Sequence, residues 1–284
     1  MTTLVVCSAL ARDGKSVVSA GLALTLRQAG STVRLVRAGQ SPSATTDAAT
    51  FTQLQGVRPH GAPEPLAALQ TDTDLTIVET DTLADAATLQ QQGASPILVT
   101  RHGQADDYTI RSAIDTTHPT AIVINGVPHA DRERLSQDAE SYGVPLLAVL
   151  PQDRLLAAPS FQAIADAIQG DLSGPADLYQ EAAEWLTVGP VSAHGGIPHF
   201  DVHPDQTVIT RHNRVDIALA ALRETPAGLI LTGGEPRLPY IYERAESEAF
   251  ALIITPLETA DATNRIGDLY THTPFIGQRK LHRA

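Results

Sequence analysis

Lysine is nearly missing from this chain: of its 20 basic residues only Lys15 and Lys280 are lysines, and arginine supplies the rest. Aromatic residues make up 4% of the sequence, with one tryptophan, and cysteine occurs once, at Cys7. A single cysteine excludes an intramolecular disulfide, and its place inside an apolar run marks a small buried residue of a cytosolic protein. Positive charge is scarce too. The formal net charge of -12 over 284 residues argues against nucleic acid or an anionic membrane as the main partner. No apolar run is long enough to cross a bilayer, and the start lacks the basic region and cleavage pattern of a signal peptide. The expectation is a soluble cytoplasmic protein of one large or two ordinary domains.

What is present concentrates at the start. Thr3-Leu-Val-Val-Cys7 reads as a buried strand, the following residues as a tight loop, and the stretch from Val17 as a helix that stops at Gly30. The loop closes on Gly14-Lys15-Ser16, and the first glycine of the pattern G-x-x-x-x-G-K-[ST] falls on Ala9. In such a loop backbone N–H groups and the helix N-terminus face an anion. The lysine amine reaches the outer phosphates and the serine hydroxyl can ligate Mg²⁺. A chain that uses arginine almost everywhere has kept lysine where a compact ammonium suits a triphosphate. The candidate binding set is Asp13, Gly14, Lys15, Ser16 and Val17. The alternative is a solvated helix-start lysine beside a turn glycine.

Short apolar runs then alternate with helical stretches: Val33–Val36, Leu75–Val78, Ile97–Thr100, Ala121–Ile124 and Leu146–Leu150. Runs covered on both faces imply a doubly wound parallel α/β sheet, with ligands at the carboxyl ends of its strands. There the third strand ends in Glu79, where a carboxylate can hold Mg²⁺ opposite Ser16. Asp81 is the better cap for a helix starting at Leu83. Asp47 is either a Mg²⁺ contact or, preferably, the N-cap of a helix starting at Ala48. Asn125 can offer its amide to a base edge and Pro151 can flank that base, though both are also turn-formers. His102 is a solvated loop residue outside the site.

From Pro159 the pattern reads helical over Ser160–Ile168 and Pro175–Leu186, with a hinge at Gly170–Pro175. A second α/β unit is expected from Thr187, with strands at Thr207–Thr210, Gly228–Thr232 and Ala251–Thr255 and helices from about Asp216, Leu238 and Ala260. The domains are thus 1–186 and 187–284. The basic tail Phe275–Ala284 closes a sheet edge or meets a partner.

The first half resembles the P-loop family that includes dethiobiotin synthetase and the N-terminal part of long phosphate acetyltransferases. Gly14-Lys15-Ser16, Val78-Glu79, Ile124-Asn125-Gly-Val-Pro128 and Leu150-Pro151-Gln-Asp-Arg-Leu-Leu-Ala-Ala-Pro159 carry that resemblance. The second half resembles the DRTGG domain that follows it, through Val188-Gly189, Val208–Leu222 with Arg214 and Asp216, and Ile230-Leu-Thr-Gly233-Gly234. The resemblance implies a P-loop NTPase-like sheet followed by a smaller DRTGG-like regulatory domain. It implies ATP and Mg²⁺ at Lys15, Ser16 and Glu79, and adenine recognition near Asn125. It also implies a homodimer and a protein partner in acetyl-CoA or acetyl-phosphate metabolism, with the acetyltransferase domain absent. Departures are Ala9 for the first loop glycine, Arg37 in the stretch that carries the family's substrate lysine, and Asn213 for the namesake aspartate. The function implied is a stand-alone nucleotide-binding regulatory or sensor protein, with weak ATPase activity left open. The alternatives are an ATP-dependent carboxylate-activating synthase of the dethiobiotin or cobyrinate type, and a degenerate P-loop scaffold.

Overall fold

The computed structural model describes residues 2–41, 43–59, 61–66, 75–189, 200, 202–203, 205–224, 226–234, 239–270 and 273–284. They form two compact units, residues 1–153 with Ala284 and residues 154–283. The division expected between 186 and 187 therefore falls inside the second unit.

In the first unit the strands are β1 (Thr2–Ser8), β2 (Val33–Arg37), β3 (Arg58–Pro59), β4 (Leu75–Glu79), β5 (Ser95–Arg101), β6 (Ala121–Val127) and β7 (Leu146–Pro151). They pair in the order β3-β2-β4-β1-β5-β6-β7, all parallel. Val5, Val6 and Cys7 of the central strand β1 are fully buried, as expected where helices cover both faces. Burial pushes the Cys7 thiol up to about 12, so it is a packing residue. The helices are α1 (Lys15–Gln28), α2 (Ala44–Phe51), α3 (Leu83–Gln91), α4 (Asp107–Thr117) and α5 (Arg132–Asp138). Small buried residues of α1, among them Ser19, Ala20 and Ala23, let its backbone lie close to the sheet. Parallel pairing gathers the strand ends Ser8, Arg37, Glu79 and Arg101 along one edge. The chain passes to opposite sides of β1 there, and in open parallel sheets ligands bind at such a position.

Two expected caps are placed differently. Helix α2 starts at Ala44 rather than Ala48, so Asp47 lies within its first turn and turns inward. Helix α3 is capped by Thr82, whose hydroxyl accepts from Asp85 N–H while the Asp85 carboxylate accepts from Thr82 N–H. That reciprocal pair satisfies the orphan donors of the first turn and leaves Asp81 for another task.

The second unit contains β8 (Asp171–Ser173), β9 (Trp185–Val188), β10 (Gln206–Arg211), β11 (Gly228–Thr232) and β12 (Ala251–Ile254), ordered β8-β12-β11-β10-β9. All pair in parallel except β8, which runs antiparallel to β12. Side chains alternate between two core layers. Val208, Leu229, Leu231 and Leu252 face one way, toward the helix Val215–Arg223; Ile209, Ile230 and Ile253 face the other, toward the helices Phe161–Ile168 and Thr259–Leu269.

The hinge at Gly170–Pro175 and the helix at Pro175–Leu186 are overturned. The first stretch holds β8, and the second has a short 3-10 turn at Ala176–Leu178 before β9. A helix loses here to tertiary packing. The Trp185 ring stacks on His203 with centroids 3.6 Å apart, and the Arg154 guanidinium lies 4.3 Å from the Trp185 ring centroid. Helices begin at Val215 and Thr259, within a residue of expectation. Leu238 lies outside the described residues, and its helix is seen over Pro239–Ser247. The basic tail folds into a helix, Gln278–Arg283, that buries Lys280 and Leu281 rather than closing a sheet edge.

Candidate functional site

The loop between β1 and α1 is shaped by its carbonyl groups. Ser8 Oγ donates to Leu10 O at 2.7 Å, Gln104 Nε2 to Ala11 O at 2.9 Å, and Asn125 Nδ2 to Asp13 O at 2.9 Å. With these carbonyls occupied by side-chain donors, the N–H groups of Gly14, Lys15, Ser16 and Val17 have no acceptor among the described residues. Unpaired amides at a helix start, at the positive end of its dipole, form an anion site. Gly14 has φ +96°, which favours glycine, and a Cβ there would lie 2.1 Å from Asn125 Nδ2 and displace that amide. Arg12 also takes a left-handed backbone, at φ +68°, whereas Ala9 does not. The methyl of Ala9 therefore imposes no backbone strain where the loop pattern has its first glycine.

Lys15 Nζ donates to Ser8 Oγ at 3.0 Å, across the loop mouth. Asp13 is fully buried, and its carboxylate accepts from Leu10 N–H at 3.2 Å and Arg101 N–H at 3.3 Å. Burial raises its pKa to about 6 against those bonds. Asp13 thus ties the loop to the end of β5.

Ser16 Oγ donates to Glu79 Oε1 at 3.0 Å, while Glu79 Oε2 is buried with no hydrogen-bond partner. Burial, reinforced by Asp47, raises the Glu79 pKa to about 7 against the pull of Arg37 and Lys15. A buried oxygen without a donor is costly and suits a cation. Among the described residues no cluster of three or more His, Cys, Asp or Glu side chains could hold a metal by itself. The pair Ser16 and Glu79 fits Mg²⁺, which takes one or two protein ligands and completes its octahedron with phosphate and water.

Arg37 is the residue that sequence reasoning undervalued. It is 2% exposed. Its Nε lies 3.3 Å from Asp47 Oδ2 and 3.5 Å from Glu79 Oε1. Its Nη2 pairs with Asp81 and donates to Ser41 Oγ at 3.1 Å, and its Nη1 donates to Ala38 O. Asp81 accepts from Ser41 N–H and Oγ as well, and although burial opposes it, these bonds and the guanidinium hold its carboxyl below the usual range. An arginine closing an apolar strand beside a strand ending in glutamate was the available signal. Its register partner is Glu79 itself.

Pro151 ends β7 beside Val127, away from every bond described for the loop. In the second unit Arg214 and Asp216 form a two-pronged surface pair at 3.0 and 2.9 Å, at the start of the helix Val215–Arg223. Gly233 and Gly234 take φ +80° and +125° and donate their N–H groups to Leu257 O and Thr255 O. Those amides are committed to the stretch that follows β12. Arg211 reaches Glu258 at 2.9 Å on the same edge.

Residues 163–269 match the DRTGG domain. That range runs from within the helix Phe161–Ile168 through β8–β12 to the end of the helix Thr259–Leu269, so β8 and β9 lie inside the DRTGG match. Among solved structures, the CBS and DRTGG domains of the regulatory region of Clostridium perfringens pyrophosphatase, complexed with the activator diadenosine tetraphosphate, align at 18% identity. The alignment covers 40% of this chain and 49% of that one, with a TM-score of 0.35; the match thus spans about half of that protein's length. The MinC:MinD cell division complex of Aquifex aeolicus aligns at 10% identity over 55% of this chain and 84% of that one, TM-score 0.43. Chloroplast FtsY from Physcomitrella patens aligns at 15% identity over 51% and 56%, TM-score 0.42. Likenesses of this strength carry no functional argument. No helix among the described residues is long and apolar enough to cross a membrane.

Proposed function

We propose that this protein is a nucleotide-binding regulatory protein, in which the first unit grips the phosphates of ATP and the DRTGG domain conveys or senses that state. The run of unpaired N–H groups from Gly14 to Val17 carries the reading. It supplies fixed donors for a phosphate, beside a lysine that can swing from Ser8 onto the outer oxygens. Mg²⁺ would be held by Ser16 and Glu79, neutralising phosphate charge. A carboxylate-activating synthase is less favoured, because Arg37 is enclosed by Asp47, Glu79 and Asp81 and has no free edge for a substrate anion. The homodimer and the partner in acetyl-CoA or acetyl-phosphate metabolism rest on the resemblance alone. Light scattering on the full chain checks the first.

The deciding experiment is calorimetric titration of MgATP into the wild type and Lys15→Ala, with phosphate release followed in the same samples. The expected result is binding by the wild type, at least a tenfold loss in Lys15→Ala, and negligible turnover. Steady turnover would make the protein an enzyme, and absence of binding to the wild type would leave a scaffold.

A further inference from the structure

Asn125 stands at the end of β6, where a strand-closing amide is well placed to read a base. Its geometry points elsewhere. The Nδ2 group donates to Asp13 O at 2.9 Å, and it sits so close beneath Gly14 that an added Cβ there would approach it to 2.1 Å. Reading a base edge in two-pronged fashion needs the amide's donor and acceptor presented side by side to the ligand. Here the donor is turned into the loop, against the peptide that precedes Gly14. Gln104 performs the same service for Ala11 O, and Ser8 for Leu10 O. Peptide units held by their carbonyls turn the opposite edge outward, and that edge carries the N–H groups. The Asn125 backbone is anchored too, since its carbonyl accepts from His102 N–H at 2.9 Å.

We infer that Asn125 is a positioning residue for the phosphate loop and not the reader of the base, so that this site selects its ligand by the polyphosphate and takes no base preference from Asn125. The inference rests on the phosphate-binding reading above and assigns one residue's role within it. The single amide–carbonyl bond fixes the Asp13–Gly14 peptide, and with it the direction of the N–H groups that follow. Removing it must weaken every ligand that the loop holds, whether or not the ligand carries a base.

The test measures binding of three probes in the presence of Mg²⁺: inorganic tripolyphosphate, ATP and GTP. Full-length wild type, Asn125→Ala and Asn125→Asp are compared, with folding followed by circular dichroism. Asn125→Asp keeps the side-chain volume but sets an acceptor against Asp13 O, so it guards against a merely unfolded alanine variant. The expected result is that both variants lose affinity for all three probes by a common factor of about ten or more, with the ATP-to-GTP ratio unchanged. A ratio that collapses while tripolyphosphate binding stays intact would make Asn125 the base reader and overturn the inference. Unchanged affinity for all three would overturn it as well. A wild type that binds none of the probes would instead remove the phosphate-loop reading, and this inference with it.

Discussion

The two units treat buried charge in opposite ways. In the first, Arg37 is enclosed by Asp47, Glu79 and Asp81, with Ser41 and backbone carbonyls taking its remaining donors. In the second, Lys280 is 1% exposed and donates to Pro274 O at 3.1 Å, with no acidic partner among the described residues. The residue types explain the contrast. A guanidinium stays charged in any protein site, so burying one requires carboxylates around it; an ammonium can give up its proton instead. Burial accordingly lowers the Lys280 pKa to about 7. The first arrangement holds three acids around one cation at the strand ends. The second leaves a buried amine with one carbonyl acceptor.

The contrast breaks most sharply at Arg37. Arg37→Met should cost ~3–5 kcal/mol, since it leaves three carboxylates crowded without their cation, and urea unfolding would show it. Lys280→Met should act in the reverse sense. The folded pKa lies below the unfolded value, so the unfolded chain binds more protons between pH 7 and about 10.5 and wild-type stability rises over that window. The variant is therefore more stable than wild type by ~2–4 kcal/mol at pH 6, and the gain shrinks as pH approaches 10. A gain independent of pH would refute a buried ammonium. The smallest effect is expected at the exposed Arg214–Asp216 pair, where Arg214→Ala should leave the unfolding midpoint unchanged within error.

The same distinction decides what could be read from the sequence. Strands such as Ala121–Ile124 and Gly228–Thr232 are nearly all apolar, a local property, and they appear where expected. The meeting of Ser16 with Glu79 was legible because each follows or closes an apolar run, and parallel pairing of β1 with β4 brings those run ends together. Asp47 and Asp81 were misassigned as caps because a helix start and an ion pair call for the same residue type; only the fold brings Arg37 between them. The bond from Asn125 to Asp13 O was not legible, since it spans 112 residues. β8 and β9 were missed for a related reason. Each is short, and its pairing with β12 or β10 is set by distant segments.

That pairing has a consequence for anyone who cuts the chain. The three residues of β8 lie along β12, Ser173 opposite Leu252 and Asp171 opposite Ile254, and deny that strand's outer row of peptide groups to any other molecule. A fragment begun at residue 187 would leave the row bare, a ready template for strand addition. Clumping of such a fragment would then be a property of the scissors, and the association state native to the second unit is measurable only on a chain that retains everything from Arg154 onward.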